Sequence, residues 1–386
     1  MIPARNVIVS IAILSVTWLT AKQQTAPVAG NAVQAFRATD VVAHDPDDPA
    51  IWISSSDPSK SLIIATDKFA RDGGLYVFGL DGALRQKIAP LDRPNNVDIE
   101  YGFLFRGRRV DIAVVTERLQ QRLRIFEIPQ DGGALIDLTP GGVPILEGAT
   151  GEAAEPMGIA LYRRPADRAV FAVVAPKTGS GTNYLWQYRI EENVRGQIEA
   201  RLARRFGAFS RMGPAPGDVG EIEAVVVDDE AGFVYYSDER FGIRKYRADP
   251  DAQDSGTELA AFGRDGYLGD REGLAVYATG PGVGFIVSSD QIDGASRVML
   301  YPREGAAGRP HDHPLLAVVP TASDATDGLD VVSTPLPGFP RGLLVMMNST
   351  PRNFLMYRWE DLLKNASTGQ RSLRHDGEQL DGTLAR

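Results

Sequence analysis

Short runs of apolar and β-branched residues recur along this chain, each closed by a polar or charged residue. Such runs between turn signals predict strands rather than helices. Asp81-Gly82, Asp131-Gly132-Gly133 and Ala231-Gly232 supply some of the turns. Helical periodicity is almost absent, and the best helix candidate is the short stretch 359–364. The pattern predicts an all-β protein.

One phrase repeats: an apolar strand ending on a polar residue. Its copies end at Asp67-Lys68, Glu117-Arg118, Pro176-Lys177, Asp238-Glu239, Asp290-Gln291 and Asn348, roughly 50 to 60 residues apart, the period of a four-stranded propeller blade. Upstream of each copy an acid or amide opens another apolar strand, as in Asp47-Asp48-Pro49-Ala50, Asn96-Val97-Asp98, Glu155-Pro156-Met157, Glu223-Ala224, Glu272-Gly273 and Asp327-Gly328. Downstream lies a third strand, such as Leu75-Tyr76-Val77-Phe78 or Phe354-Leu355-Met356-Tyr357. The repeats predict a six-bladed β-propeller of four-stranded antiparallel blades around a central channel, one domain over residues 31–364. Residues 33–42 carry alternation ahead of the first inner strand and are expected to pair into the last blade, because an open ring would expose a sheet edge.

In an antiparallel blade the start of the first strand and the end of the second share one edge. The polar residues above therefore gather on one face of the disk. Lys68, Arg118 and Lys177 come from the first half, and Glu223, Glu239, Asp270, Glu272, Gln291, Asp324 and Asp327 from the second. A cationic sector is expected to face an acidic one. At an effective dielectric near 20, two carboxylates about 4 Å apart repel by about 4 kcal/mol, so these acids either spread through solvent or bind cations. Carboxylates and amides without thiolates are the donor set of hard cations, Ca²⁺ above all, and lysine with arginine suits phosphate oxygens. The plainer alternative is that individual acids hydrogen-bond their own turns. Asp47 and Asp48 likewise read either as ligands or as a turn before Trp52.

Composition narrows the choices. The 386 residues include 0 Cys, which excludes disulfides, thiolate metal sites and a cysteine nucleophile. The formal net charge of −9 disfavours nucleic acid as a partner, whereas a polyanion remains accessible through bridging divalent cations. His311-Asp312-His313 follows Arg309-Pro310 in a loop without strand alternation and is not read as a metal pair, His44 is read as structural, and His375 falls in a polar tail, 365–386, expected to be disordered. At the other end, a basic start, the apolar run 7–19 and Ala21 have the layout of a signal peptide over 1–21, so a secreted or periplasmic protein without a stable membrane span is expected.

Taken in order, these phrases resemble the β-propeller phytases: Asp45-Pro46-Asp47-Asp48-Pro49-Ala50-Ile51-Trp52, Asn95-Asn96-Val97-Asp98-Ile99, Asp111-Ile112-Ala113 through Arg118, Glu223 with Asp228-Asp229-Glu230 and Glu239, Asp270-Arg271-Glu272-Gly273-Leu274, Ser288-Ser289-Asp290-Gln291 and Thr326-Asp327-Gly328-Leu329-Asp330. The resemblance implies calcium-dependent hydrolysis of myo-inositol hexakisphosphate, with several Ca²⁺ ions at the channel mouth and direct attack by a calcium-bound water. By the same resemblance Lys68, Arg118 and Lys177 contact phosphate. Glu223, Glu239, Asp270 and Glu272 are catalytic acids, and together with Gln291 and Asp327 they serve as calcium ligands. Asn96 and Asp98 hold another ion, and Asp47, Asp48 and Asp324 complete the candidate ligands. Met157 stands where the family often carries a phosphate-contacting tyrosine, Thr178 where glutamate is common, and Asn348 in place of an aspartate. A monomer acting on the calcium complex of the small-molecule substrate is expected. Other readings are a calcium-dependent sugar lactonase of six blades and a non-catalytic propeller that binds proteins or glycans.

Overall fold

Alternation within each strand sends neighbouring side chains into different cores. In the strand Leu62–Asp67, Ile63 and Ala65 join a cluster with Val345 and Met356, while Leu62 and Ile64 join one with Val97, Val115 and Phe126. The next repeat does the same: Ala113 and Val115 pack backward, Ile112 and Val114 forward against Ile159 and Val174. Each sheet is thus apolar on both faces and must be sandwiched, which a ring of sheets satisfies.

The computed structural model describes residues 32–210 and 220–373. They form six antiparallel sheets in a closed ring. Blade 1 is Pro46–Trp52, Leu62–Asp67, Gly73–Gly79 and Leu84–Leu91. Blade 2 is Pro94–Phe105, Arg108–Glu117 and Arg122–Ile128, its outer strand reduced to two short pieces, Ile136–Asp137 and Val143–Pro144. Blade 3 is Pro156–Arg163, Val170–Pro176, Thr182–Glu192 and Ile198–Ala208. Blade 4 is Val225–Asp228, Phe233–Asp238, Gly242–Arg247 and Ala260–Phe262. Blade 5 is Leu274–Gly280, Val283–Asp290, Arg297–Pro302 and Ala317–Pro320. Blade 6 is Leu329–Val332, Leu343–Asn348 and Asn353–Arg358, completed by Arg37–Ala38 from the chain start.

The ring closes as the edge argument requires: Arg37 pairs with Met356 and Ala38 with Leu355, and the flanking amides of Phe36, Thr39 and Val42 donate to the same strand or its turn. The final helix, Trp359–Leu373, runs well beyond residue 364, into the segment read as a disordered tail. Trp359, Leu362 and Ala366 explain its start, since they bury one helical face against blades 5 and 6. The signal-peptide segment 1–21 and His375 lie outside the described residues.

One backbone hydrogen bond recurs in all six blades and fixes their equivalence. The amide just past the second strand donates to the carbonyl of the lead-in to the first strand: Lys68 to Asp45, Arg118 to Arg93, Lys177 to Glu155, Glu239 to Glu221, Gln291 to Asp270 and Ser349 to Asp324. All six therefore lie on one face, around the channel.

Candidate active site

Two kinds of backbone present the polar residues. In blades 1–3 the first strand begins on proline, whose missing N–H is tolerated at a strand start, and the ladder then slips: Pro46 pairs with Asp67 but Pro49 with Ala65, Pro94 with Glu117 but Val97 with Val115, Pro156 with Pro176 but Ile159 with Val174. Each bulge adds a residue and turns consecutive side chains to different surroundings. In blade 1 Asp47 reaches Lys68, while Asp48 accepts the amide of Val97 in the next blade at 3.0 Å. In blades 4–6 the strands begin later, and Glu223, Glu272 and Asp327 stand two residues ahead of them.

Glu223, Glu239 and Glu272 converge, each offering an oxygen within 4.8 Å of the others. Close backbone packing sets Glu223: a Cβ on Gly158 of blade 3 would lie 2.1 Å from the Glu223 carbonyl oxygen. Glu239 accepts the Glu221 amide at 2.8 Å, and Glu272 Oε2 is buried without a hydrogen-bond partner. Burial pushes Glu272 well above the ordinary carboxylate range, and Glu239, Glu223 and Asp327 push it further against the pull of Lys68. Burial, then Glu223 and Glu221, bring Glu239 up to about 8. Glu223 is also opposed by burial, but Lys68, Asn95, Glu272 and Arg118 together hold it below its ordinary value. Without another cation this pocket keeps protons on part of its carboxylates. Its all-oxygen donors and the unpartnered Glu272 oxygen fit a hard divalent ion such as calcium.

The cations are engaged rather than set apart. Lys68 Nζ lies 2.9 Å from Asp47 and 2.5 Å from Asp327. Its neutral form is favoured by burial, but Asp47, Asp327 and Glu223 outweigh that and keep it charged. Arg118 Nε bonds Glu155 at 2.8 Å, and Lys177 pairs with Glu221. Past blade 1 a rule emerges: the end of each second strand reaches the lead-in of the next blade, Arg118 to Glu155, Lys177 to Glu221, Arg240 to Asp270 and Gln291 to Asp327. The expected separation into a cationic and an acidic sector is thus replaced by interleaved pairs. The reason is that the cations of blades 2 and 3 meet the acidic lead-in of the next blade, while ring closure sets blade 6 and its Asp327 beside Lys68 of blade 1. Lys68 and Lys177 remain 17% and 22% exposed, Arg118 only 5%.

The other candidates divide by depth. Asp48, Asn96, Asp98 and Asp330 line a narrow channel cavity of about 50 Å³ that also touches Glu272. Burial raises Asp98 to about 7 although its oxygens accept the amides of Leu161 (2.6 Å) and Ile99 (2.7 Å). Burial likewise raises Asp47 well above its usual range, with Lys68 opposing and Glu223 and Asp327 adding. Asp324 fastens a loop, accepting from Gly294 and donating its amide to Asn348. Met157 is buried, its carbonyl bonded by Thr116. His313 bonds Lys245 and Pro302 inside blades 4 and 5, and His44 bonds Asp67 while stacking on Phe69, so neither belongs to the carboxylate group.

Sequence reasoning gave no role to Asn95, Glu155, Glu221 or Arg240. Asn95 was in view beside Asn96, but only the bulge shows that it faces the mouth. Glu155 was among the polar strand starts, but its pairing with Arg118, like that of Glu221 with Lys177, is visible only once neighbouring blades are seen side by side.

Fold and site together define a six-bladed propeller whose channel mouth places a cluster of carboxylates beside lysine and arginine. The chain belongs to the phytase family, a family of phosphoric monoester hydrolases, whose model matches residues 2–362. It is 29% identical over 349 residues to the 3-phytase of Bacillus subtilis (strain 168), covering 86% of this chain and 85% of that protein. Solved structures overlap more loosely. A putative 6-phosphogluconolactonase from Bacteroides fragilis gives a TM-score of 0.47 at 14% identity, covering 80% of this chain and 78% of the other. A periplasmic gluconolactonase from Pseudomonas aeruginosa gives 0.42 at 14%, covering 72% and 71%. Overlaps this loose bear on no point of function. Among the described residues no helix is long and apolar enough to cross a membrane.

Proposed function

We propose that this chain removes phosphate from myo-inositol hexakisphosphate in a calcium-dependent reaction, by direct attack of water and without a phosphoenzyme. The observation that carries the reading is the carboxylate triad with its unpartnered, buried Glu272 oxygen, set beside Lys68 in a chain of the phytase family. Glu223, Glu239 and Glu272 would hold calcium, with Asp270, Gln291 and Asp327 close by in the same ring of pairs. The ion would neutralise phosphate charge and acidify water at that position. Lys68, Arg118 and Lys177 would bind phosphate oxygens through charge-assisted hydrogen bonds. Asp47, Asp48, Asn96, Asp98 and Asp324 serve ions or loops that stabilise the ring. Export follows from the signal-peptide layout, and the enzyme acts as a monomer.

Phosphate release from phytate, measured with calcium and with excess chelator, tests this. Calcium-dependent release is expected. Hydrolysis of sugar lactones with no phosphate release would favour the lactonase, and binding without turnover a non-catalytic propeller.

A further inference from the structure

We infer that Asn95 is a positioning residue that ties the carboxylate triad to the phosphate-binding arginine; the inference rests on the phytase reading. Asn95 sits in the blade 2 bulge with its side chain fully buried, 0% exposed. Its amide nitrogen lies 2.9 Å from Glu223 Oε1, 3.1 Å from Asp47 Oδ2 and 3.1 Å from Asn96 Oδ1. Its oxygen accepts from Arg118 Nη1 at 3.4 Å. An amide has two N–H bonds, so two of the three acceptors are served at once, and the two carboxylates are the stronger. The donor end therefore faces the anions and the acceptor end the guanidinium, and no other side chain of this size matches both. Aspartate keeps the acceptor but offers Glu223 and Asp47 a like charge. Leucine fills the space and satisfies neither.

This connection spans parts that the fold supplies separately. Arg118 follows the second strand of blade 2 and is anchored on its far side by Glu155 of blade 3, whereas Glu223 leads into blade 4. Asn95 is the one residue hydrogen-bonded to both among the described residues. It sets where the guanidinium that holds phosphate lies relative to the carboxylate beside the reacting water, and such registration is worth large factors in rate.

Steady-state kinetics on phytate at saturating calcium, with melting curves and calorimetric calcium titration, test the assignment in Asn95→Leu, Asn95→Asp, Arg118→Ala and the Asn95→Leu/Arg118→Ala double variant. Losing hydrogen bonds to charged groups should lower kcat/KM of folded Asn95→Leu about ten- to a hundredfold, in both KM and kcat. Asn95→Asp should keep KM within about twofold of the parent, since Arg118 retains its acceptor, while kcat falls and calcium affinity shifts. In the Arg118→Ala background Asn95→Leu should lose at least half of its logarithmic effect. A folded Asn95→Leu within threefold of the parent, multiplicative effects in the double variant, or a KM in Asn95→Asp as high as in Asn95→Leu would each overturn the assignment. If Asn95→Leu does not fold, the split between KM and kcat in Asn95→Asp decides. A parent that releases no phosphate would instead remove the phytase reading and this inference with it.

Discussion

In blades 1–3 the inner strand starts on proline and bulges, whereas in blades 4–6 it starts late and straight behind an acidic lead-in. The same fold thus feeds its mouth in two ways. The bulged starts of blades 1 and 2 deliver pairs of polar residues, one for the mouth and one for the channel, Asp47 with Asp48 and Asn95 with Asn96, while that of blade 3 carries Met157 and Gly158. Straight starts deliver Glu223 and Glu272, which converge with Glu239 from just past the second strand of blade 4. The residues just past the second strands follow the same division, Lys68, Arg118 and Lys177 in one half and Glu239, Gln291 and Ser349 in the other. The contrast teaches that the site is built at blade junctions, where the end of one blade meets the lead-in of the next.

Gly158 is where the two kinds of start touch, and it carries the largest expected effect. Its absent Cβ would lie 2.1 Å from the Glu223 carbonyl oxygen, so Gly158→Val must displace Glu223 by about an ångström, enough to cost on the order of a hundredfold in rate. Phosphate release should fall accordingly. Gly141→Ala, with open space around it, is the control and should leave the rate unchanged. Equal rates in the two variants would detach Glu223 from the reaction.

Chelation comes next. A triad that crowds carboxylates in the straight half should be stabilised by an ion bound only to the folded state. Excess chelator should lower the melting temperature by several degrees, and calcium should restore it. An unchanged melting curve would contradict the cation reading of Glu223, Glu239 and Glu272.

The smallest effect concerns the inter-blade latches. Asp229 of blade 4 accepts the Arg163 amide of blade 3, Asp330 of blade 6 the Ile51 amide of blade 1, and burial raises each carboxyl to about 6. Between pH ~4 and ~6 the folded form then holds more protons than the unfolded chain, so these groups make stability fall as pH rises through that window, by about 3 kcal/mol each. Melting curves in chelator from pH 4 to 7 should be less steep in pH for Asp229→Asn/Asp330→Asn than for the parent. An equal or steeper dependence would assign the latches no part in it.

Much of this was legible in the sequence because it repeats. Six polar strand ends and six polar strand starts marked the blades, the alternation at 33–42 marked the closure, and Glu223, Glu239 and Glu272 were named before their convergence was seen. What was not legible depended on contacts no local pattern encodes. The Lys68–Asp327 pair joins residues 259 apart in sequence and exists only because the ring closes. The bulges that separate Asp47 from Asp48 are a matter of register. The helix past residue 364 has a polar sequence, and its stability comes from tertiary burial of Trp359, Leu362 and Ala366.

The central claim is that phosphate is held by protein cations and the ion by the carboxylate triad, and a calcium titration of phosphate release by the parent, Arg118→Ala and Glu272→Gln tests it most directly. Arg118→Ala should lose about ten- to a hundredfold at every calcium concentration, without rescue. Glu272→Gln should need more calcium for half-maximal activity and regain part of its rate when calcium is high. Rescue of Arg118→Ala by calcium, with an unmoved calcium requirement in Glu272→Gln, would contradict the account.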